Sequence, residues 1–157
     1  MQGKRGFTIL EVLITVVILS VAILALSSLQ TKAVGTNYTS HRMTIATTLA
    51  QEKLEELQNL PYTDSQLTDT VSNFTSGNFN WSLAVDHTNI DGLTGVANPI
   101  DETGAAVPAG SGSAGYWREW NVADNTPMAN MKTVSVRVRW SEKRAKSVTI
   151  DTVISDG

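Results

Sequence analysis

The chain opens on an uninterrupted apolar run. From Phe7 to Leu29 only scattered hydroxyls and one carboxylate, Glu11, break 23 residues of membrane-like character. As a helix this run would span roughly 35 Å, enough to cross a hydrocarbon core of about 30 Å. Past Leu29 the pattern becomes amphipathic. Ala46, Leu49, Ala50, Leu54, Leu57 and Leu60 recur at three- and four-residue steps, with Gln51, Glu52, Lys53, Glu55, Glu56 and Gln58 at the other positions. Pro61 ends this helix, because proline cannot continue its hydrogen bonding. Gly35 and the Thr36–Ser40 segment are the expected place for a bend or loosening.

Downstream the period switches to two. Phe79, Trp81, Leu83 and Val85 alternate with smaller or polar residues, as do Val134, Val136, Val138 and Trp140, and then Val148 and Ile150. The last two runs flank SEKRAK and predict an antiparallel hairpin. Tyr116, Arg118, Trp120 and Val122 predict a further strand. The expected fold class is α+β, a long N-terminal helix whose second half packs on a small antiparallel sheet of three to five strands. Residues 86–115, rich in Gly, Ala, Ser and Asn, are expected to form a surface loop without core residues. Trp81 and Trp140, at strand spacing, are expected in the core, ahead of a reading of the tryptophans as a sugar platform.

Charge refines this picture. The net charge of -3 argues against a general nucleic-acid binder. It also conceals an asymmetry: Glu52 to Asp124 holds eleven acids and two bases, whereas Lys132 to Lys146 holds six bases and one acid. Such a basic hairpin suits a solvated sheet edge guarded against aggregation, or a face turned to the acidic side of a neighbouring subunit. Nucleic acid is not an expected partner, since no aromatic residue is interleaved at the loop.

Candidate chemistry is sparse. With no cysteine, no disulfide and no thiolate metal site can form. His41 and His87 stand far apart without neighbouring ligands, and Asn89, Asp91, Asp101 and Glu102 match no calcium-loop spacing. Nothing forms a nucleophile with its base or a phosphate loop, so the expectation is neither an enzyme nor a cofactor or metal protein.

The N-terminal run allows a signal anchor, a cleaved secretory signal, or a buried core helix. Glu11 interrupts the secretory pattern, and the rest of the chain has too little apolar surface to enclose an all-apolar helix. The stretch KRGFTILEVLITVVILSVAILALSSLQ resembles the prepilin signal of type IV pilins and of the pseudopilins of type II secretion. It has a basic leader, Lys4 and Arg5, ending in Gly6, then Phe7, then an acid, Glu11, as the fifth mature residue, followed by a long apolar helix.

The resemblance implies a pilin-like fold and cleavage by a prepilin peptidase between Gly6 and Phe7. It also implies N-methylation of Phe7 and retention of the apolar helix. Glu11 would pair with the α-amino group of a neighbouring subunit and so select register. The expected organisation is a leader peptide at 1–6, a membrane and filament-core helix at 7–30, its amphipathic continuation at 31–61, and a periplasmic or extracellular head at 62–157. Implied partners are the prepilin peptidase, other pilin or pseudopilin subunits, the inner-membrane assembly machinery and the lipid bilayer. The implied location is the bacterial inner membrane and then the pilus. The pattern ILSVAILALSSLQTKAV with LAQEKLEEL and the late hairpin looks like a minor pilin that helps initiate filaments. The alternatives are a minor pseudopilin of a type II secretion system and a membrane-anchored binding module that never polymerises. No proline lies between Phe7 and Leu60, so a proline-dependent melting of the helix does not carry over.

Overall fold

A computed structural model of the chain describes residues 8–72, 74–75, 77–81, 86–88, 99–107, 115–142 and 144–156. It divides into two compact units between His41 and Arg42. The first unit contains the start of one helix, α1 (Ile9–Gln58), in which helical structure continues through Gly35 and Thr36–Ser40. The expected loosening there is therefore absent: one glycine costs about 1 kcal/mol relative to alanine, and the helix runs through it. Every residue from Ile9 to Leu29 is exposed. The most apolar 18-residue window of α1 has a mean hydropathy of 2.9, long and apolar enough to cross a membrane.

In the second unit the last turns of α1 pack on a four-stranded antiparallel sheet. Its strands are β3 (His87–Thr88), β4 (Tyr116–Asp124), β5 (Met131–Ser141) and β6 (Ala145–Ser155), in that order across the sheet. A separate two-stranded hairpin joins β1 (Phe74–Thr75) to β2 (Asn78–Phe79). The helix ends three residues before Pro61, and Asn59 and Leu60 still donate to the carbonyls of Glu55 and Leu57. Ala46, Leu49, Ala50 and Leu57 form the buried stripe. They share one core with Tyr116, Trp120 and Val122 of β4 and with Val134, Val136, Val138 and Trp140 of β5. Each fully buried valine contributes roughly 1.5–3 kcal/mol through removal of its side chain from water.

The strands predicted from Tyr116, from Val134 and from Val148 are present and longer than the alternation alone marked, whereas the run from Phe79 is a strand only at Asn78–Phe79 among the described residues. Tyr116 pairs with Trp140 and Val122 with Val134, while Val138 pairs with Val148 and Val136 with Ile150. Inner-face positions thus alternate with an outer face carrying Glu119, Asn121, Ser135, Arg137, Thr149 and Asp151. The segment 86–115 departs from the expected loop at both ends. His87 and Thr88 pair with Trp120 and Glu119, and Ile100 bridges both Ala106 and Tyr116. Ile100 is 1% exposed and belongs to the core. Ile100 falls in no alternating run of apolar and polar positions, so its burial could not be read from strand pattern. In the turn that follows, Asp101 Oδ1 accepts from the N–H groups of Thr103 and Ala105 and from the Thr103 hydroxyl. These bonds hold its carboxyl below the usual aspartate range.

Trp140 is buried as expected, 3% exposed, and Trp120 joins it at 4%. Trp81 is only half-buried: it follows β2 in a turn and lies under the Arg137 guanidinium, 4.1 Å from its ring centroid. Leu83 and Val85, expected in the same strand, lie outside the described residues.

Asp86 ties the connection after α1 to the sheet. Its Oδ1 accepts from Thr70 N at 2.7 Å, Thr70 Oγ1 at 2.9 Å and Val71 N at 2.9 Å, and its Oδ2 accepts from Val122 N at 2.7 Å. Removal of the carboxylate strands several donors at once. Asp86→Ala is expected to lower unfolding stability by about 3 kcal/mol in urea titrations, whereas exposed Glu102→Ala stays within about 0.5 kcal/mol. Equal midpoints for the two variants would remove Asp86 as the clip.

Candidate functional site

The residues with the sharpest sequence signal sit at the start of α1. Gly6 and Phe7 lie outside the described residues. Thr8 precedes the first helical residue and caps it. Its hydroxyl accepts the Glu11 N–H at 3.3 Å, and its carbonyl accepts from Glu11 and Val12 at 3.1 and 3.2 Å. Thr8-Ile9-Leu10-Glu11 has the spacing of a capping box, a signal present in the sequence. The carboxylate of Glu11 is in the first turn and exposed, and it has no partner among the described residues. The positive end of the helix dipole favours an anion at this position.

The rest of the apolar span is prepared for a medium without water. Thr15, Ser20 and Ser27 donate to the carbonyls four residues earlier, Glu11, Val16 and Ile23, at 2.7–2.9 Å, and Ser28 donates to Ala25 at 2.8 Å. Each hydroxyl is thereby satisfied within its own helix, which removes the penalty of burying it in lipid or against apolar neighbours.

Residues 1–27 match the family described as the prokaryotic N-terminal methylation motif. That match supports the type IV pilin and pseudopilin family. No curated protein and no solved structure matches the chain. A pilin or pseudopilin subunit is a structural component rather than an enzyme, with the prepilin peptidase and other pilin subunits as its general partners. The apolar helix agrees with membrane anchoring of such a subunit.

The charged groups of the head form only part of the basic edge that the sequence suggested: Arg144 and Lys146, at the hairpin turn and on the edge strand β6, are exposed. Strand β5 is internal to the sheet, and its arginines are neutralised within the chain. Glu119, 6% exposed, takes an ion pair from Arg137 and another from Arg139 Nε at 2.9 Å. Burial holds the Arg137 guanidinium below its ordinary pKa, against the opposing pull of Glu119. Lys132 is 8% exposed; it donates to the Leu67 carbonyl, pairs with Asp124 at 3.3 Å and lies 4.6 Å from the Tyr62 ring centroid. Of the six bases in the predicted cluster Lys132 is buried, Arg137 is half-buried, Arg139 is exposed but paired with Glu119, Arg144 and Lys146 are exposed, and Lys143 lies outside the described residues. A cross-strand register places carboxylates opposite guanidiniums, which charge counting along the chain cannot reveal.

Two cations on α1 are likewise internal. Lys53, expected on the solvent face, is 4% exposed: it bonds Glu56 at 2.7 Å and Gln66 at 2.9 Å and lies 4.3 Å from the Trp120 ring centroid. Burial lowers its pKa below the ordinary lysine value, opposed by Glu56. Arg42, 4% exposed, donates to the Tyr116 hydroxyl at 3.3 Å and the Ser141 carbonyl at 3.2 Å. From β4, Arg118 reaches the Leu49 carbonyl at 3.3 Å, and burial lowers its pKa against the attraction of Glu56 and Glu52.

Removing one member of the buried cluster leaves an uncompensated charge. Glu119→Ala is expected to destabilise the Arg42–Gly157 unit by about 3–5 kcal/mol in chemical denaturation. Arg137→Glu is expected to lose folded protein before any effect on partner contacts can be read. A stable Arg137→Glu variant with a wild-type denaturation midpoint would return these bases to the role of a subunit-facing patch.

Proposed function

We propose that the chain is a minor pilin, a structural subunit of a type IV pilus that takes part in filament assembly and initiation. The observation that carries this reading is the methylation motif over residues 1–27, running into an apolar helix with Glu11 in its first turn. In this reading Lys4 and Arg5 stay on the cytoplasmic side, the head lies in the periplasm, and the membrane holds Phe7 to Leu29 until the subunit is drawn into the filament. The prepilin peptidase cuts between Gly6 and Phe7 and the new amino terminus is methylated. Glycine before the cut leaves the backbone accessible to a protease cleft. Glu11 then meets the α-amino group of a neighbouring Phe7, and a slipped subunit leaves both charges unpaired in an apolar environment.

Mass spectrometry of the mature N-terminus tests the processing step. N-methylated Phe7 is the expected result, whereas a start at Ser28 identifies a secretory signal and an intact Met1 identifies a plain anchor. Recovery of the subunit from sheared surface filaments is expected for a minor pilin. Absence from filaments together with a secretion defect on deletion moves it to the pseudopilins.

Two roles of Glu11 are separable by mutation, that of a charge and that of a capping-box residue type in the first turn. Glu11→Val is expected to insert normally but to enter filaments at least about tenfold less, since a few kcal/mol of unpaired charge exceed the 1.4 kcal/mol of a tenfold change. Glu11→Gln keeps a capping-box residue without the charge and is expected to fail equally. Rescue by glutamine, measured as subunit per length of sheared filament, would reduce Glu11 to a helix cap.

A further inference from the structure

The outer face of the sheet, turned away from α1, carries a cleft of about 250 Å³. Its floor is the β5–β6 pair, through Thr133, Ser135, Thr149 and Asp151, and its wall is the β1–β2 hairpin, through Phe74, Asn78, Phe79 and the following Trp81. The polar floor is fixed. Ser135 and Asp151 are cross-strand partners, Ser135 is 1% exposed, and its hydroxyl donates to Asp151 Oδ1. The aromatic wall is fixed too: Phe74 and Phe79 meet edge to face at 4.8 Å, and Phe79 lies 6.2 Å from Trp81 at an angle of 52°.

We propose that this cleft binds a single neutral sugar ring, with the ring's C–H face against Phe79 and Trp81 and its hydroxyls on Asp151, Asn78 and Thr149. The inference is independent of pilus assembly. Four properties select this class of ligand. The first is the mixture itself: small-molecule sites join apolar, largely aromatic walls to a few placed polar groups. A pyranose has both kinds of surface on one small body, and carboxylate and amide side chains match its neighbouring hydroxyls as acceptor and donor. The second is charge. The Arg137 guanidinium already occupies a face of Trp81, which opposes a cationic ligand, and the Asp151 carboxylate opposes an anionic one. The third is ring geometry. The neighbouring ring pairs, Phe74–Phe79 at 65° and Phe79–Trp81 at 52°, are tilted, so neither is a parallel pair between which a flat heterocycle could be sandwiched. The fourth is size. At about 30 Å³ per water the cleft holds roughly eight waters' volume, too large for a simple ion and enough for one sugar ring.

The test uses the full chain reconstituted in phospholipid nanodiscs, free of glycoside detergents. Saturation-transfer NMR is recorded with methyl α-D-glucoside, methyl β-D-galactoside and N-acetylglucosamine. The expected result is saturable transfer to the ring C–H protons of at least one of them. Asp151→Ala and exposed Asn78→Ala are each expected to weaken binding at least about tenfold. Asn78→Ala removes no core contact, so it decides the matter if the loss of the Ser135 partner unfolds Asp151→Ala. The proposal is overturned by the absence of transfer to all three sugars, by transfer that Asn78→Ala retains at wild-type affinity, or by saturable binding of tetramethylammonium in their place.

Discussion

Burial of one stripe of α1 against β4 and β5 is the constraint on which the head depends. Ala46, Leu49, Ala50 and Leu57 are each at most 1% exposed, and the valines facing the same core, Val122, Val134, Val136 and Val138, are fully covered. Because strand side chains alternate between faces, this burial also fixes what the other face presents. With Val134, Val136 and Val138 turned inward, Ser135 and Arg137 must turn outward. The register then brings Glu119 opposite Arg137 and Asp151 opposite Ser135. A one-residue slip would expose the valines and bury the charges, so the ion-pair cluster and the cleft both follow from the hydrophobic match.

The head uses its charges to close its own structure. Lys53 and Lys132 reach carboxylates and carbonyl oxygens of the connection after α1, Arg118 reaches the helix backbone, and Arg137 and Arg139 share Glu119. Lys53, Lys132 and Arg137 are each held by an ion pair and an aromatic ring face, as poorly hydrated charge requires if the loss of hydration is to be offset. The sequence-distant acidic and basic blocks thus meet inside one domain. In the first unit the chemistry is reversed: hydroxyls bond to their own helix, and side chains from Ile9 to Leu29 remain uncovered by the chain.

Period-based reading found the helix, its end near Pro61, the late hairpin and the Tyr116 strand, because each carries a repeating contrast between apolar and polar positions. What it missed has no such repeat. Ile100 stands outside any alternating run, and His87–Thr88 is too short to alternate. Lys53 is polar on a helix yet buried, since its long stem crosses apolar surface to reach Glu56 and Gln66. Arg137 and Arg139 read as a solvated patch until β4 supplied Glu119, a contact between residues 18 and 20 positions apart. Trp81 fitted an alternating run but sits on the outer face, where a guanidinium covers it. At the N-terminus the family motif was legible by residue identity and spacing, and Thr8 as a cap by its place three residues before Glu11.

That acid can be weighed by magnitude. A carboxylate at the centre of a membrane span costs about 2.5–3.5 kcal/mol on insertion scales, less towards the interface. The dipole at a helix N-terminus returns typically 0.3–1 kcal/mol. Thr8 satisfies the backbone N–H of Glu11 and leaves its side chain without a partner among the described residues. Local structure therefore accounts for the helix start and offsets only a fraction of the cost of a deeply placed charge. In headgroup water no remainder exists, and Glu11 is merely tolerated. In an apolar filament core the remainder is large, and a cation of the kind a freed α-amino group provides is what would cancel it. On the assembly role proposed above, the same carboxylate would be nearly neutral in energy before assembly and decisive after it, which is the behaviour a register-selecting charge needs.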